Sequence, residues 1–297
     1  MNQPLYILVI LLTTLFQGFS DGPTIPAYNN TTENAQPNRA ASYTEFLDVP
    51  YGDAPNGFNL LDAYLPDGHT RDTKVIVYIH GGGWTSGNKT EFPKELIEEL
   101  VGKRKYALAS INYRLVRNGE NRFPVQIEDI RNALKFISDY APEYNYNGNE
   151  FILMGASAGA HLALLYAYGY DSLKQVKSVI DIFGPSDLTA EDVRKPGLES
   201  DAIITNYLGT PDPQALIARQ SSPYFHLTKD TGVPTLIFHG EADELVKVSQ
   251  SKKLYEKLKE LGIPTQIKLY PGEKHELKPQ VAADIFATIM AWLEKYY

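Results

Sequence analysis

Phe151-Ile152-Leu153-Met154-Gly155-Ala156-Ser157-Ala158-Gly159-Ala160-His161 passes from a short apolar run into a serine flanked by small residues, and then into a helical pattern. A strand that turns sharply into a helix at such a serine leaves the hydroxyl exposed, because the neighbouring glycines let the two backbones approach. Upstream, Lys74-Val75-Ile76-Val77-Tyr78-Ile79 is a second strand-like run and ends in His80-Gly81-Gly82-Gly83-Trp84. Glycines there allow backbone N–H groups to come close to a developing oxyanion. A nucleophile at one strand end and donors at another predict acyl transfer through serine.

Around these two strands the chain alternates. Pro93 to Val101 has apolar residues at helical spacing, Tyr106 to Asn112 reads as a strand, and Pro124 to Tyr140 reads as a long helix opened by proline. After the serine, helix Ala158 to Tyr168, strand Val176 to Phe183, strand Thr235 to Phe238, helix Gln250 to Leu261, strand Thr265 to Leu269 and helix Pro279 to Tyr296 continue the rhythm. Phe46 to Val49 and Phe58 to Leu65 precede it as antiparallel strands. The class is therefore α/β, with a mostly parallel sheet covered by helices on both faces. The rhythm breaks from 184 to 232, a stretch rich in Pro, Asp, Thr and Ser with short helical patterns at Asp201 to Leu208 and Pro213 to Arg219. It reads as a lid-like insertion over the carboxyl end of the sheet.

The 297 residues, 43% apolar and 22% charged, suffice for one catalytic domain over 43–297. A net charge of −8 and the absence of a long Lys/Arg run exclude a nucleic-acid surface. Cysteine is absent, so disulfides, thiolate metal sites and a cysteine nucleophile are excluded. No clustered His/Asp ligand spacing points to a metal, and no cofactor is expected. Pro4 to Phe19 is an apolar run ending in Gly18-Phe19-Ser20, the pattern of a signal peptide over 1–20. That predicts export, to a periplasm or outside the cell, or an anchored protein if the segment stays uncleaved, since the run lacks Lys or Arg before it. No membrane span is expected in the mature chain. Residues 21–42 read as a flexible leader.

A serine hydroxyl needs a base, and the base needs an acid to fix its tautomer. Among six histidines, His69 sits in an early turn, His80 belongs to the glycine motif, and His161 lies one turn beyond Ser157 on the same helix. His239 ends a strand, and the loop after it carries Asp243; His275 follows the last strand. Both loops leave the sheet on the edge where Ser157 lies, so Asp243 and His275 are the expected acid and base. Glu241, Glu244 and Asp187 remain alternatives for the acid, and His226 for the base. Asp187 reads first as a turn cap.

These motifs resemble the α/β-hydrolase esterases of the hormone-sensitive-lipase-like and feruloyl-esterase-like branch: H-G-G-G-W, G-x-S-A-G, G-P-x-D-L at 184–188 and H-G-x-x-D at 239–243. The resemblance spans about 43–297. It implies an α/β-hydrolase fold, Ser157 as nucleophile, His275 as base, Asp243 as acid, and an oxyanion hole of the N–H groups of Gly82, Gly83 and Ala158. The implied substrates are short-chain, acetyl or aryl esters, small or carried on a glycan. Ala156 and Ala160 depart from the lipase branch and lean toward feruloyl and polysaccharide esterases. An amidase or aryl formamidase on the same triad, and a non-catalytic binding protein of the same fold, are the competing readings; oligomeric state is not encoded in any motif. Whether the insertion is rigid decides between small and large esters.

Overall fold

The computed structural model describes residues 38–39 and 42–297; the stretch read as a signal peptide and most of the stretch read as a leader lie outside them. Strands β1 (Asn38–Arg39), β2 (Tyr43–Pro50), β3 (Leu60–Pro66), β4 (Val75–Ile79), β5 (Ala107–Ile111), β6 (Phe151–Ala156), β7 (Val176–Ile182), β8 (Thr235–Gly240) and β9 (Thr265–Tyr270) form one sheet, in the order β1-β2-β3-β5-β4-β6-β7-β8-β9. The first four in that order pair antiparallel and the others parallel. The two-residue β1 falls inside the stretch read as leader.

The helices are α1 (Lys94–Ile97), α2 (Val125–Tyr144), α3 (Ala158–Gly169), α4 (Glu191–Arg194), α5 (Glu199–Leu208), α6 (Leu216–Gln220), α7 (Pro223–His226), α8 (Ser249–Glu260) and α9 (Pro279–Tyr296). Alternate side chains of each strand face opposite sides. Val75, Val77 and Ile79 of β4 join Ile127, Ile130 and Leu134 of α2 and Leu162 to Tyr168 of α3 in one core. Ile76 and Tyr78 join Ile97 of α1 and Ile285, Ile289 and Leu293 of α9 in the other. Both faces are apolar, so the parallel strands read as continuous hydrophobic runs rather than alternating ones.

Boundaries shift where local chemistry intervenes. The helix expected over Pro93 to Val101 is four α-helical residues and then wider π-type turns to Lys103. Helix α2 continues past Tyr140 to Tyr144, carrying Pro142 in its last turn, and stops where Asn145 adopts φ 56°. Between β7 and β8 lie α4 to α7. Among the described residues no helix is long and apolar enough to cross a membrane.

The serine turn is held by backbone contact. A Cβ on Gly159 would overlap the carbonyl oxygens of Ile79 and His80 at the end of β4, and one on Gly155 would overlap the backbone of Gly159. Glycine inside a helix ordinarily costs ~1 kcal/mol relative to alanine. Here the expected sign reverses: Gly159→Ala should destabilise by about 1–3 kcal/mol through overpacking, read as a lower urea midpoint. An unchanged or raised midpoint would show that β4 and α3 can move apart.

Candidate active site

Ser157 joins β6 to α3 with φ 53° and ψ −119°, a region that costs a side-chain-bearing residue on the order of 1–3 kcal/mol. Its backbone is secured on both sides, since its N–H donates to Ile182 O at 2.9 Å and its carbonyl accepts from His161 N at 3.0 Å. The strained turn directs Oγ to the sheet edge, where His275 Nε2 lies 2.9 Å away. His275 Nδ1 is 2.7 Å from Asp243 Oδ2. An ionised carboxylate only accepts, so Nδ1 carries the proton and Nε2 is left as the acceptor for the serine hydroxyl.

Asp243 is itself tightly held. Oδ1 accepts the N–H groups of Leu245 and Val246, each at 2.9 Å, and His239 Nε2 lies 3.2 Å from Oδ2. Burial alone would raise its pKa, but hydrogen bonds from His239 and His275 outweigh that and hold the carboxyl at about 2. His239 is fixed in turn: Nε2 donates to Val246 O at 2.8 Å and Nδ1 accepts from Ser251 Oγ at 2.7 Å. Sequence reasoning does not reach its contact with Asp243, although the H-x-x-x-D spacing at 239–243 is a visible signal for it.

Gly82, Gly83 and Trp84 adopt φ of 99°, 56° and 61° in succession, and Thr85 N and Ser86 N both donate to Gly82 O at 3.0 Å. A Cβ on Gly81 would stand 3.5 Å from Ser157 Cβ, so this loop borders the serine. Ala158 opens α3, where an N–H has no partner within the helix. Two buried histidines brace the loop. His80 stacks on Tyr113 with ring centroids 4.3 Å apart and donates from Nδ1 to Gly81 O at 2.8 Å. His161 accepts from Trp84 Nε1 at 3.3 Å and donates to Ser221 O at 2.7 Å. Burial lowers both to about 4, so both are neutral supports at ordinary pH.

The alternatives sit elsewhere. His226 donates to Gln220 O at 2.7 Å and packs against Gly169 and Tyr170, at the other end of α3 from Ser157. His69 bonds Pro66 O in the turn after β3. Asp187 Oδ1 accepts from Thr189 N and Oγ1, a turn cap, and its other oxygen pairs with Lys253. Glu241 faces Lys252, and Glu244 is exposed.

Because the pull on Asp243 lowers its folded pKa below the ordinary value of 3.8, its stabilising contribution is complete above about pH 3.8 and is lost as pH falls through about 2. Comparing urea midpoints of the wild type and Asp243→Asn should therefore show a gap that is level at neutral pH. It should close by on the order of 2 kcal/mol toward pH 2. A gap independent of pH would mean that these donors do not favour the carboxylate.

Similarity to known proteins agrees with this architecture. Esterase LipQ of Mycobacterium tuberculosis is 28% identical over 235 residues, 73% of this chain and 53% of that protein. The isoprenylcysteine alpha-carbonyl methylesterase ICME of Arabidopsis thaliana is 25% identical over 242 residues, 76% of this chain and 55% of that protein. The chain spans about half the length of these curated relatives. Among solved structures, a truncated form of a carbohydrate esterase from gut microbiota superposes with a TM-score of 0.68 at 24% identity, covering 85% of this chain and 98% of that one. That likeness carries the fold, a mostly parallel sheet flanked by helices. The BD-FAE family model matches residues 61–258, from β3 through the serine turn and the Asp243 loop into α8, and the chain belongs to the BD-FAE family on an α/β-hydrolase fold.

Proposed function

We propose that the protein is a serine carboxylesterase that hydrolyses esters of short acyl groups. The single observation that carries this reading is the unbroken line Ser157 Oγ, His275 Nε2, His275 Nδ1, Asp243 Oδ2, with gaps of 2.9 and 2.7 Å. Ser157 Oγ attacks the ester carbonyl carbon while His275 Nε2 takes its proton, and Asp243 stabilises the imidazolium without taking a proton itself. The N–H groups of Gly82, Gly83 and Ala158 receive the oxyanion of the tetrahedral intermediate; such donors are worth ~10² to 10³ each in rate. As the carbon–oxygen bond breaks, His275 returns the proton to the departing alcohol. Water then repeats the sequence on the acyl-enzyme, releasing the acid and restoring Ser157.

The preference for short acyl groups rests on α5. Ile203 Cγ2 lies 3.1 Å from where a Cβ on Gly83 would be, over the glycine loop. The helix is fastened there: Tyr207 stacks on Trp84 with centroids 4.2 Å apart and planes 10° apart, and Tyr207 O accepts from Phe123 N at 3.2 Å. Arg194 Nε reaches Asp201 at 2.9 Å and Arg122 Nε reaches Asn206 O at 3.3 Å. A roof held at both ends limits the acyl space beside the donors. Esters on carbohydrates, with the sugar as leaving alcohol, belong to the same reading, in keeping with the carbohydrate esterase that shares the fold.

Ser157→Ala should retain the wild-type melting curve and lose at least ~10⁴-fold in kcat on p-nitrophenyl acetate. Labelling by a fluorophosphonate, mapped by mass spectrometry, should fall on Ser157 in the wild type and vanish in this variant. Turnover of an N-formyl aryl amide exceeding that of the ester would replace the esterase reading with the amidase one. Ile203→Ala should raise the butyrate-to-acetate ratio of kcat/KM by roughly ten-fold, the order that a methylene or two carries in a closed pocket. An unchanged ratio would remove Ile203 from the acyl site.

A further inference from the structure

Phe183, directly after β7, has φ 49° and is 1% exposed. A bulky aromatic residue with positive φ is a backbone outlier, and such strain persists only where the surroundings over-determine it. The surroundings here are specific. Phe183 N donates to Phe238 O at 2.8 Å, and the next residue, Gly184, donates its N–H to Asp181 Oδ1 at 2.7 Å. A Cβ on Gly184 would stand 2.7 Å from Ala160 Cβ and 2.9 Å from His161 N, so α3 closes the turn from the other side. The conformation sets the Phe183 ring against the His275 imidazole, with centroids 4.7 Å apart and planes at 54°.

We propose that Phe183 is a positioning residue for His275, its ring holding the imidazole on the line from Ser157 to Asp243 and stabilising the imidazolium, with Asp181 as the clamp that keeps the ring there. The inference rests on the hydrolase reading above. An aromatic face attracts a cation within about 6 Å of its centroid. The imidazole becomes a cation only as it takes the serine proton, so the attraction grows toward the transition state and raises kcat rather than substrate affinity. The Asp181 carboxyl is fully buried on β7, and its Oδ2 has no hydrogen-bond partner among the described residues. Burial pushes that carboxyl up to about 7, against the opposing pull of the Gly184 N–H and His239. Its use is as an acceptor for Gly184, a use that does not depend on charge.

The test measures kcat and KM on p-nitrophenyl acetate and melting temperature for three variants of the full chain. Phe183→Leu, which keeps an apolar filling without the π face, should lower kcat roughly ten- to thirty-fold, the reach of a desolvated ring–cation contact, and leave KM within about two-fold. Asp181→Ala should fall in the same direction, and Asp181→Asn, which keeps an acceptor for Gly184, should recover most of the turnover. A folded Phe183→Leu with wild-type kcat overturns the proposal, as does an Asp181→Asn as damaged as Asp181→Ala. Where Phe183→Leu fails to fold, the Asp181 pair decides. Wild-type protein without turnover or fluorophosphonate labelling would overturn the hydrolase reading instead, so the two failures are separable.

Discussion

The structure depends on how closely β4, β6 and the first turn of α3 approach one another. Gly159 stands where any side chain would overlap the carbonyl oxygens of Ile79 and His80, and Gly155 stands against Gly159 itself. That contact ties the end of the strand carrying the glycine loop to the turn carrying Ser157, so candidate donors and nucleophile are fixed to one another through backbone rather than through adaptable side chains. Close-packed interiors do not stretch continuously, and α3, buried from Ala158 to Tyr168, has no room to rotate. The strain at Ser157 is sustained by this surrounding contact, much as the strain at Phe183 is sustained one strand away.

Two carboxyl groups at the same sheet edge show how environment divides chemistry. Asp243 accepts two loop N–H groups and faces two imidazoles, and the donors overcome burial to hold it at about 2. Asp181, two residues before the strained Phe183, accepts one N–H, leaves its second oxygen without a partner among the described residues and is pushed up to about 7. Burial raises both, and more so Asp181; at Asp243 the hydrogen bonds and charge of His239 and His275 outweigh it, whereas at Asp181 the Gly184 N–H and the more distant His239 do not. One is thus held as a carboxylate beside His275, and the other holds a turn.

Much of this is legible in the residues. The strand and helix order follows from apolar runs and helical spacing, because a parallel sheet covered on both faces leaves long β-branched stretches such as Lys74 to Ile79. The sequence also brings Ser157, Asp243 and His275 forward as candidate site residues, with Glu241, Glu244, Asp187 and His226 left as alternatives, since loops at the carboxyl ends of parallel strands share one edge. Hidden are contacts without a sequence period. Tyr207 on Trp84 and Phe183 on His275 join residues from separate segments, and nothing in either neighbourhood distinguishes a stacking aromatic from a core one. The π-type turns after Ile97 and the run of α2 through Pro142 escape for a different reason: tertiary packing there overrides local propensity.

Histidine illustrates why residue type alone underdetermines role. His80, His161 and His239 are wholly buried, and each ring is fixed by hydrogen bonds, to the carbonyls of Gly81, Ser221 and Val246 and, for His161 and His239, to Trp84 or Ser251 as well. A lysine or arginine in their places would bring a charge into the core, and a phenylalanine would strand the carbonyls. His275 has the same letter but keeps partial exposure, a carboxylate on one nitrogen and a hydroxyl on the other. What separates it is the pairing of a fixed anion behind the ring with an open side in front, where a proton can be taken and returned. The proposed role of His275 as base rests on that pairing.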